Sequence, residues 1–258
     1  MSMIDLQKWA DDIENYIRPS TFPLAVKLAT AEEKIPDKMK IPGQDLKVKV
    51  ATCQGFSISR RYGWSLAISA DDISCPLTKV AFGFKPATDY YLEGNAAAGM
   101  YCQTKEIGSR TEAEVPRLPY GKYKYIFVST IRRANFDPDL YIIYGNPAQV
   151  MRLLTAYLYK RGGYLHSRFS GRLDCADMVI ETFNTDECQL ILPCYGDRIF
   201  GLTQDDEMAF TVPKSKVQMT QEGLAGTHKG GIRYPIPTYL QFEGKFPESY
   251  TNVEKPDS

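Results

Sequence analysis

The sequence predicts an α/β protein in which two related α/β halves, a pseudo-twofold internal repeat, pack into one globular unit with a mixed sheet. Three observations predict it. The stretch "DLYIIYGNPAQVMRLLTAYLYKRGG" joins a short apolar run to a helix with defined ends. An offset of 100 residues pairs Val50 with Val150, Arg61 with Arg161, Gly63 with Gly163 and Cys75 with Cys175. The 258 residues are 43% hydrophobic, enough to bury a substantial core.

Taken in order, Leu6, Trp9, Ala10, Ile13, Tyr16 and Ile17 recur at three- and four-residue spacing between charges, which predicts an amphipathic helix within residues 1–20. "FPLAVKLA" (22–29) reads as a short buried strand, and residues 20–115 form the first half. The second half covers 116–225, entered through a loop holding Pro116 and Pro119. Its run Leu140 to Tyr144 is β-rich and bounded by turn residues, as in a buried strand of a parallel or mixed sheet. Asn146 as N-cap, Pro147 in the first turn and Gln149 three residues after the cap start the next helix. Val150, Leu153, Leu154, Tyr157 and Leu158 supply its buried face, and Gly162 with Gly163 ends it. A second helix, "DCADMVIETF" (174–183), is capped by Asp174 and puts Cys175 in its first turn, with Asp71 or Asp72 preceding Cys75 in the same way. The helix dipole at such a position favours a thiolate. Residues 226–258 lack a helical period and carry several prolines and aromatics, which predicts an extended tail lying on its own domain or on a second subunit of a homo-oligomer.

Composition narrows the function. The 31 basic and 31 acidic side chains cancel, so nothing draws the chain to phosphate backbones or anionic lipid, and neither nucleic acid nor membrane is expected as a partner. "MSMIDLQKWADDIENYI" is too charged for a signal peptide, and no apolar run approaches the ~18 residues of a membrane span. A cytoplasmic protein is expected, with its six cysteines reduced. The dinucleotide, P-loop, zinc-protease and nucleophile-elbow motifs are missing, and two histidines cannot make a three-histidine zinc site.

Chemistry concentrates in "LPCYGDRIFGLTQDDEMAF" (192–210), read as strand, irregular loop, strand. Asp197, Arg198, Asp205, Asp206 and Glu207 there form either an ion-pair network that holds the loop or a ligand site. In the second case Arg198 offers a planar fork to a carboxylate or carbonyl, Glu207 or Asp206 carries protons, and Cys194 opens toward a pocket.

"YGNPAQVMRLL", "DCADMVI", "LPCYGDR", "DDEMAFTVP", "TCQ" (52–54) and "CPL" (75–77) together resemble the family called domain of unknown function 169. The likeness covers about residues 20–225, with the motifs in family order. That family is met chiefly in archaea and anaerobic bacteria, and the resemblance implies no activity. It does imply that Cys53, Cys75, Cys175, Cys194, Arg198 and Glu207 belong to shared motifs, whereas Cys102 and Cys188 are packing residues.

Three functions follow as expectations. The first is a zinc or iron-sulfur protein, redox or small-molecule-transforming, with Cys53, Cys75, Cys175 and Cys194 as ligands between the halves. The second is a metal-free enzyme or binding protein for a small carboxylate or carbonyl ligand anchored by Arg198. The third is a non-catalytic oligomeric accessory protein. Between them, the question of enzymatic activity stays open.

Overall fold

Asn146 organises the middle of the chain as its side chain predicts. In the computed structural model, which describes residues 5–236, 246 and 248–254, its carbonyl oxygen Oδ1 accepts from the Gln149 amide at 3.0 Å while the Gln149 side chain accepts from the Asn146 amide at 2.8 Å. This reciprocal box turns strand β4 (Leu140–Gly145) into helix α6 (Pro147–Arg161). The helix stops at Gly162, whose φ of 68° suits a residue without Cβ.

Six strands form one sheet: β1 (Leu24–Ala29), β2 (Leu66–Ser69), β3 (Tyr125–Thr130), β4, β5 (Gln189–Ile191) and β6 (Met208–Pro213). Their order is β2-β3-β1-β4-β6-β5, and every ladder is antiparallel, so the expected mixed sheet is corrected. An apolar run buried on both faces told of burial and not of strand direction. β4 is such a run because helices cover both sides of this antiparallel sheet.

Period-two alternation divides the core. Leu24, Val26, Leu28, Leu140, Ile142 and Tyr144 point to one face, and Ala25, Tyr141 and Ile143 to the other. The second face is covered by α1 (Leu6–Tyr16), α6 and α10 (Val217–Lys229), with Trp9, Ile13, Leu153 and Leu224 buried between them and the sheet. The first face carries α2 (Thr52–Tyr62), α3 (Pro76–Ala81) and a composite helix in which α7 (Asp174–Ala176) runs through a π-helical turn (Asp177–Glu181) into α8 (Thr182–Thr185). Helices α4 (Asp89–Leu92), α5 (Lys105–Glu114), α9 (Tyr195–Phe200) and α11 (Glu248–Thr251), a π-helical turn (Pro42–Leu46) and three 3-10 turns (Ile131–Arg133, Lys214–Lys216 and Asn252–Glu254) complete the described elements.

Three local expectations are corrected. The loop after β5 is not irregular, because Cys194 starts the short helix α9. Gly226 to Lys229 belongs to α10, not to an extended tail, and residues 237–245, 247 and 255–258 of that tail lie outside the described residues. The 100-residue offset sets α2 against α6, yet these helices cover opposite faces of the sheet. Among the described residues, no helix is long and apolar enough to cross a membrane.

Helix α10 lies close to α6 because residue 223 is glycine: a Cβ there would overlap the carbonyl of Ala156. Gly223→Ala should therefore push the two helices apart and cost about 1–3 kcal/mol. Thermal unfolding followed by circular dichroism should show a melting temperature lower by about 2–10 °C.

Candidate functional site

The cluster of interest starts from a buried charge. Arg60, in the last turn of α2, is 1% exposed and must find partners or destabilise the fold. Its Nη1 donates to Glu207 Oε1 at 2.7 Å, and its Nη2 donates to Glu207 Oε2 at 3.2 Å and to Thr203 Oγ1 at 3.0 Å. The guanidinium also lies 4.0 Å from the centre of the Tyr144 ring. Burial alone would raise the Glu207 carboxyl, but the Arg60 fork, the Gln204 amide and Arg61 hold it below the usual carboxylate range. Glu207 is thus a clamp between α2 and the start of β6.

Beyond Tyr144 lies a group of acids. Tyr144, at the end of β4, donates to Asp197 Oδ2 at 3.1 Å, and its hydroxyl is 3.5 Å from the Met178 sulfur. Asp197 sits in α9, whose N-cap is Cys194, and the Cys194 sulfur accepts from the Asp197 amide at 3.4 Å. The Cys194 thiol donates to Asp174 Oδ1 at 3.1 Å. Asp174 is the first residue of α7 and not its cap: its carboxyl turns to Cys194 and Asp197. Arg172, buried against Glu112 of α5 and near the Tyr101 ring, holds the chain just before Asp174. Cys53, second residue of α2, brings a second thiol, 3.9 Å from the Gly196 carbonyl.

Burial sets the protonation of this group. Asp197 is raised well above its ordinary range by burial and by Asp174 beside it, and burial raises Asp174 as well. Two carboxyls that share a low-dielectric site cannot both ionise, so they hold a proton between them. Burial and the Asp174 carboxylate push Cys194 up to about 12, while burial followed by Asp197 and Asp174 raises Cys53. Cys175 is buried against Thr78 Oγ1 at 3.5 Å and is raised well above a free thiol. The expected activation of Cys175 at a helix start is therefore reversed, since desolvation exceeds what one helical turn provides.

The predicted site residues separate into groups. Cys53 and Cys194 come together with Asp174 and Asp197. Cys175 lies within electrostatic reach of both Cys53 and Cys75, and Cys75 is the half-buried N-cap residue of α3. Arg198 is half-buried and donates from Nη1 to the Gln204 carbonyl at 2.5 Å, while Asp206 is exposed. The stretch does not hold itself by an internal ion-pair network, because Glu207 pairs with Arg60 and Asp197 with Tyr144 and Asp174. Cys102 sits beside Thr111 and Cys188 packs on the opposite face of the sheet, both away from the cluster. Sequence reasoning missed Arg60, Tyr144 and the role of Asp174. The available signal was an acid beside each second-half cysteine, Asp174 before Cys175 and Asp197 three residues after Cys194. Among the described residues, no group of three or more His, Cys, Asp or Glu side chains is arranged to hold a metal ion.

A second buried acid lies on the same composite helix. Asp177 lines a cavity of about 330 Å³ with Arg110, Arg168, Phe169 and Glu181. Burial first, then the Glu181 charge, raises its carboxyl to about 7, against the opposing pull of the Ser170 amide and Arg168.

Fold and cluster together define a mixed α/β protein with a six-stranded antiparallel sheet and a buried thiol-carboxyl group near its centre. The profile of the DUF169 family, described as "Uncharacterised ArCR", matches residues 12–223, and the chain belongs to that family. It is 24% identical over 204 residues to "Uncharacterized protein MJ0308" of Methanocaldococcus jannaschii, a match that covers 78% of this chain and 85% of the relative. No solved structure matches.

Two measurements check these electrostatics. Arg60→Met alone leaves Glu207 buried without its partner and should cost about 3–5 kcal/mol in urea unfolding, whereas Arg60→Met combined with Glu207→Leu should cost clearly less. Because the folded state holds the Asp177 proton more tightly than the unfolded chain, Asp177 should contribute a fall in stability as pH rises from about 4 to 7, by at most about 1.4 kcal/mol per unit, on top of any contribution from Asp174 and Asp197. Asp177→Asn should flatten that slope.

Proposed function

We propose that this protein binds and transforms a small carbonyl or carboxylate compound at a metal-free thiol and acid-base site between its two halves. The observation that carries the reading is the 3.1 Å contact from the Cys194 thiol to Asp174, continued through Asp197 to Tyr144. A cysteine nucleophile needs a proton acceptor, and Asp174 stands where one is needed. In the proposed step the Cys194 sulfur bonds to an electrophilic carbonyl carbon while its proton passes to Asp174. The carbonyl π pair moves to oxygen, which takes the proton held by Asp197. Arg198, four residues after Cys194, is the proposed anchor for a substrate carboxylate, with Glu207 in a supporting role through Arg60.

The reading of two related halves is kept in another register. Cys53 and Cys175 are each the second residue of a helix on the same face of the sheet, and each helix is followed by an edge strand, β2 or β5. Cys75 and Cys194 are each the N-cap of the short helix after that strand. The strand order also reads the same from either edge, as edge strand, later neighbour, then first strand of the half. In this view the cluster draws Cys53 from the first half and Cys194, Asp174 and Asp197 from the second.

One observation favours a second reading, a zinc or iron-sulfur centre. Two thiols and two carboxyls converge, Cys53 and Cys194 with Asp174 and Asp197. Cys53, Cys194 and Asp174 would be the first ligands only after drawing closer than in the described arrangement, where no such group is set to hold an ion, with Cys75 and Cys175 further along the same row.

The two readings separate on anaerobically purified protein. Less than about 0.1 zinc or iron per chain, with thermal stabilisation by 2-oxo acids or short carboxylates that Cys194→Ser, Asp174→Asn and Arg198→Ala abolish and Cys188→Ser and Cys102→Ser leave intact, supports the first. Metal near one per chain, lost in Cys53→Ser and Cys194→Ser, supports the second. Iodoacetamide alkylation of Cys194 at pH 8 should be slow, because burial and the Asp174 carboxylate keep the thiol protonated, and denaturation should remove that protection.

A further inference from the structure

A second cavity lies past the other end of α2, away from the thiols. It encloses about 630 Å³ and is lined by Lys38, Lys40, Trp64, Ser65, Arg133 and Asn135, with Asp37 and Gly63. That size is within the range of small-molecule sites. Trp64 is 39% exposed there, whereas the other tryptophan, Trp9, is fully buried between α1 and the sheet. Lys40 holds its Nζ 5.2 Å from the centre of the Trp64 ring.

The cavity wall is built and not merely open. The Lys40 amide donates to the Ser65 carbonyl at 2.8 Å and its carbonyl accepts from the Ala67 amide at 2.9 Å, which fixes the lysine beside the tryptophan. Asn135 Nδ2 donates to the Asp37 carbonyl at 2.9 Å, fastening the same loop from the other side. Arg133 Nη1 donates to the Gly63 carbonyl at 2.7 Å, which covers the carbonyl at the C-cap of α2. Among the described residues, Lys38, Lys40 and Arg133 make no ion pair, and Asp37 is the single acid in the lining. A chain with equal numbers of acids and bases has here a local excess of cations around an exposed indole.

An indole rimmed by cations recognises a planar ring that carries negative charge, since stacking and charge pairing then act on one ligand. We propose that this cavity is a binding site for a mononucleotide: the base lies against the part of the Trp64 indole that Lys40 leaves open, and its phosphate takes the Lys40 ammonium together with Lys38 and Arg133. The site is independent of the thiol cluster, so its ligand is distinct from the compound transformed there.

The test uses the full chain with AMP, ADP, adenosine and inorganic phosphate in isothermal titration calorimetry, with tryptophan fluorescence in parallel. AMP or ADP should bind at least about ten-fold more tightly than adenosine or phosphate alone. Binding should quench Trp64 and leave the Trp9 signal that remains in Trp64→Phe unchanged. Lys40→Gln should weaken AMP about five-fold or more with an unaltered melting temperature, and so should Lys38→Gln. Cys194→Ser should bind AMP normally, which keeps this result apart from that of the thiol site. The proposal is overturned if AMP and ADP show no saturable binding up to about 5 mM. It is equally overturned if phosphate binds as well as AMP, if Trp64→Leu binds undiminished, or if an oligonucleotide binds where AMP does not.

Discussion

The structure depends on a charge that cannot reach water. Arg60 is buried where α2 crosses the sheet, and a guanidinium in that setting is tolerable only if fully paired. Glu207 supplies the pair, Thr203 and Thr21 take the other two donors of the terminal nitrogens, and Tyr144 offers its ring face. These contacts draw together helix α2 with strand β4, strand β6 and the turn that precedes β6. They set the angle at which α2 lies, and so decide that Cys53, at its far end, meets Gly196 and Cys194.

Secondary structure was legible where local physics decides. The α1 stripe of Trp9, Ala10 and Ile13, strand β1, and the Asn146 box all follow from side-chain spacing and capping chemistry, which need no knowledge of distant partners. Strand direction was not legible, because Leu140 to Tyr144 looks the same in any sheet covered on both faces. The offset of 100 residues misled for a related reason. Gly63 and Gly163 mark helix ends, and helix ends recur in any α/β chain whatever faces their helices cover.

The candidate site was legible in part. The motifs pointed to Cys53 and Cys194, and the structure brings these together. The charge-rich look of residues 197–207 suggested one local network, but charge in sequence does not reveal which groups are buried. Asp197 and Glu207 turn inward to partners about 50 and 150 residues away, while Asp206 faces water. The same blindness reversed the sign expected for the thiols. A helix start was visible in "DCADM", and the depth of its burial was not, although burial is the larger influence on Cys175.

The central ladder of the sheet has a mechanical meaning. Strands β1 and β4 pair over only three positions, Leu24 to Val26 against Leu140 to Ile142, whereas β1–β3 and β4–β6 each pair over six. The join between interior strands with the fewest main-chain bonds therefore runs beneath the acids and thiols. Cohesion across this crease falls to the helices packed on both faces and to the Arg60–Glu207 clasp, which ties α2 to β6.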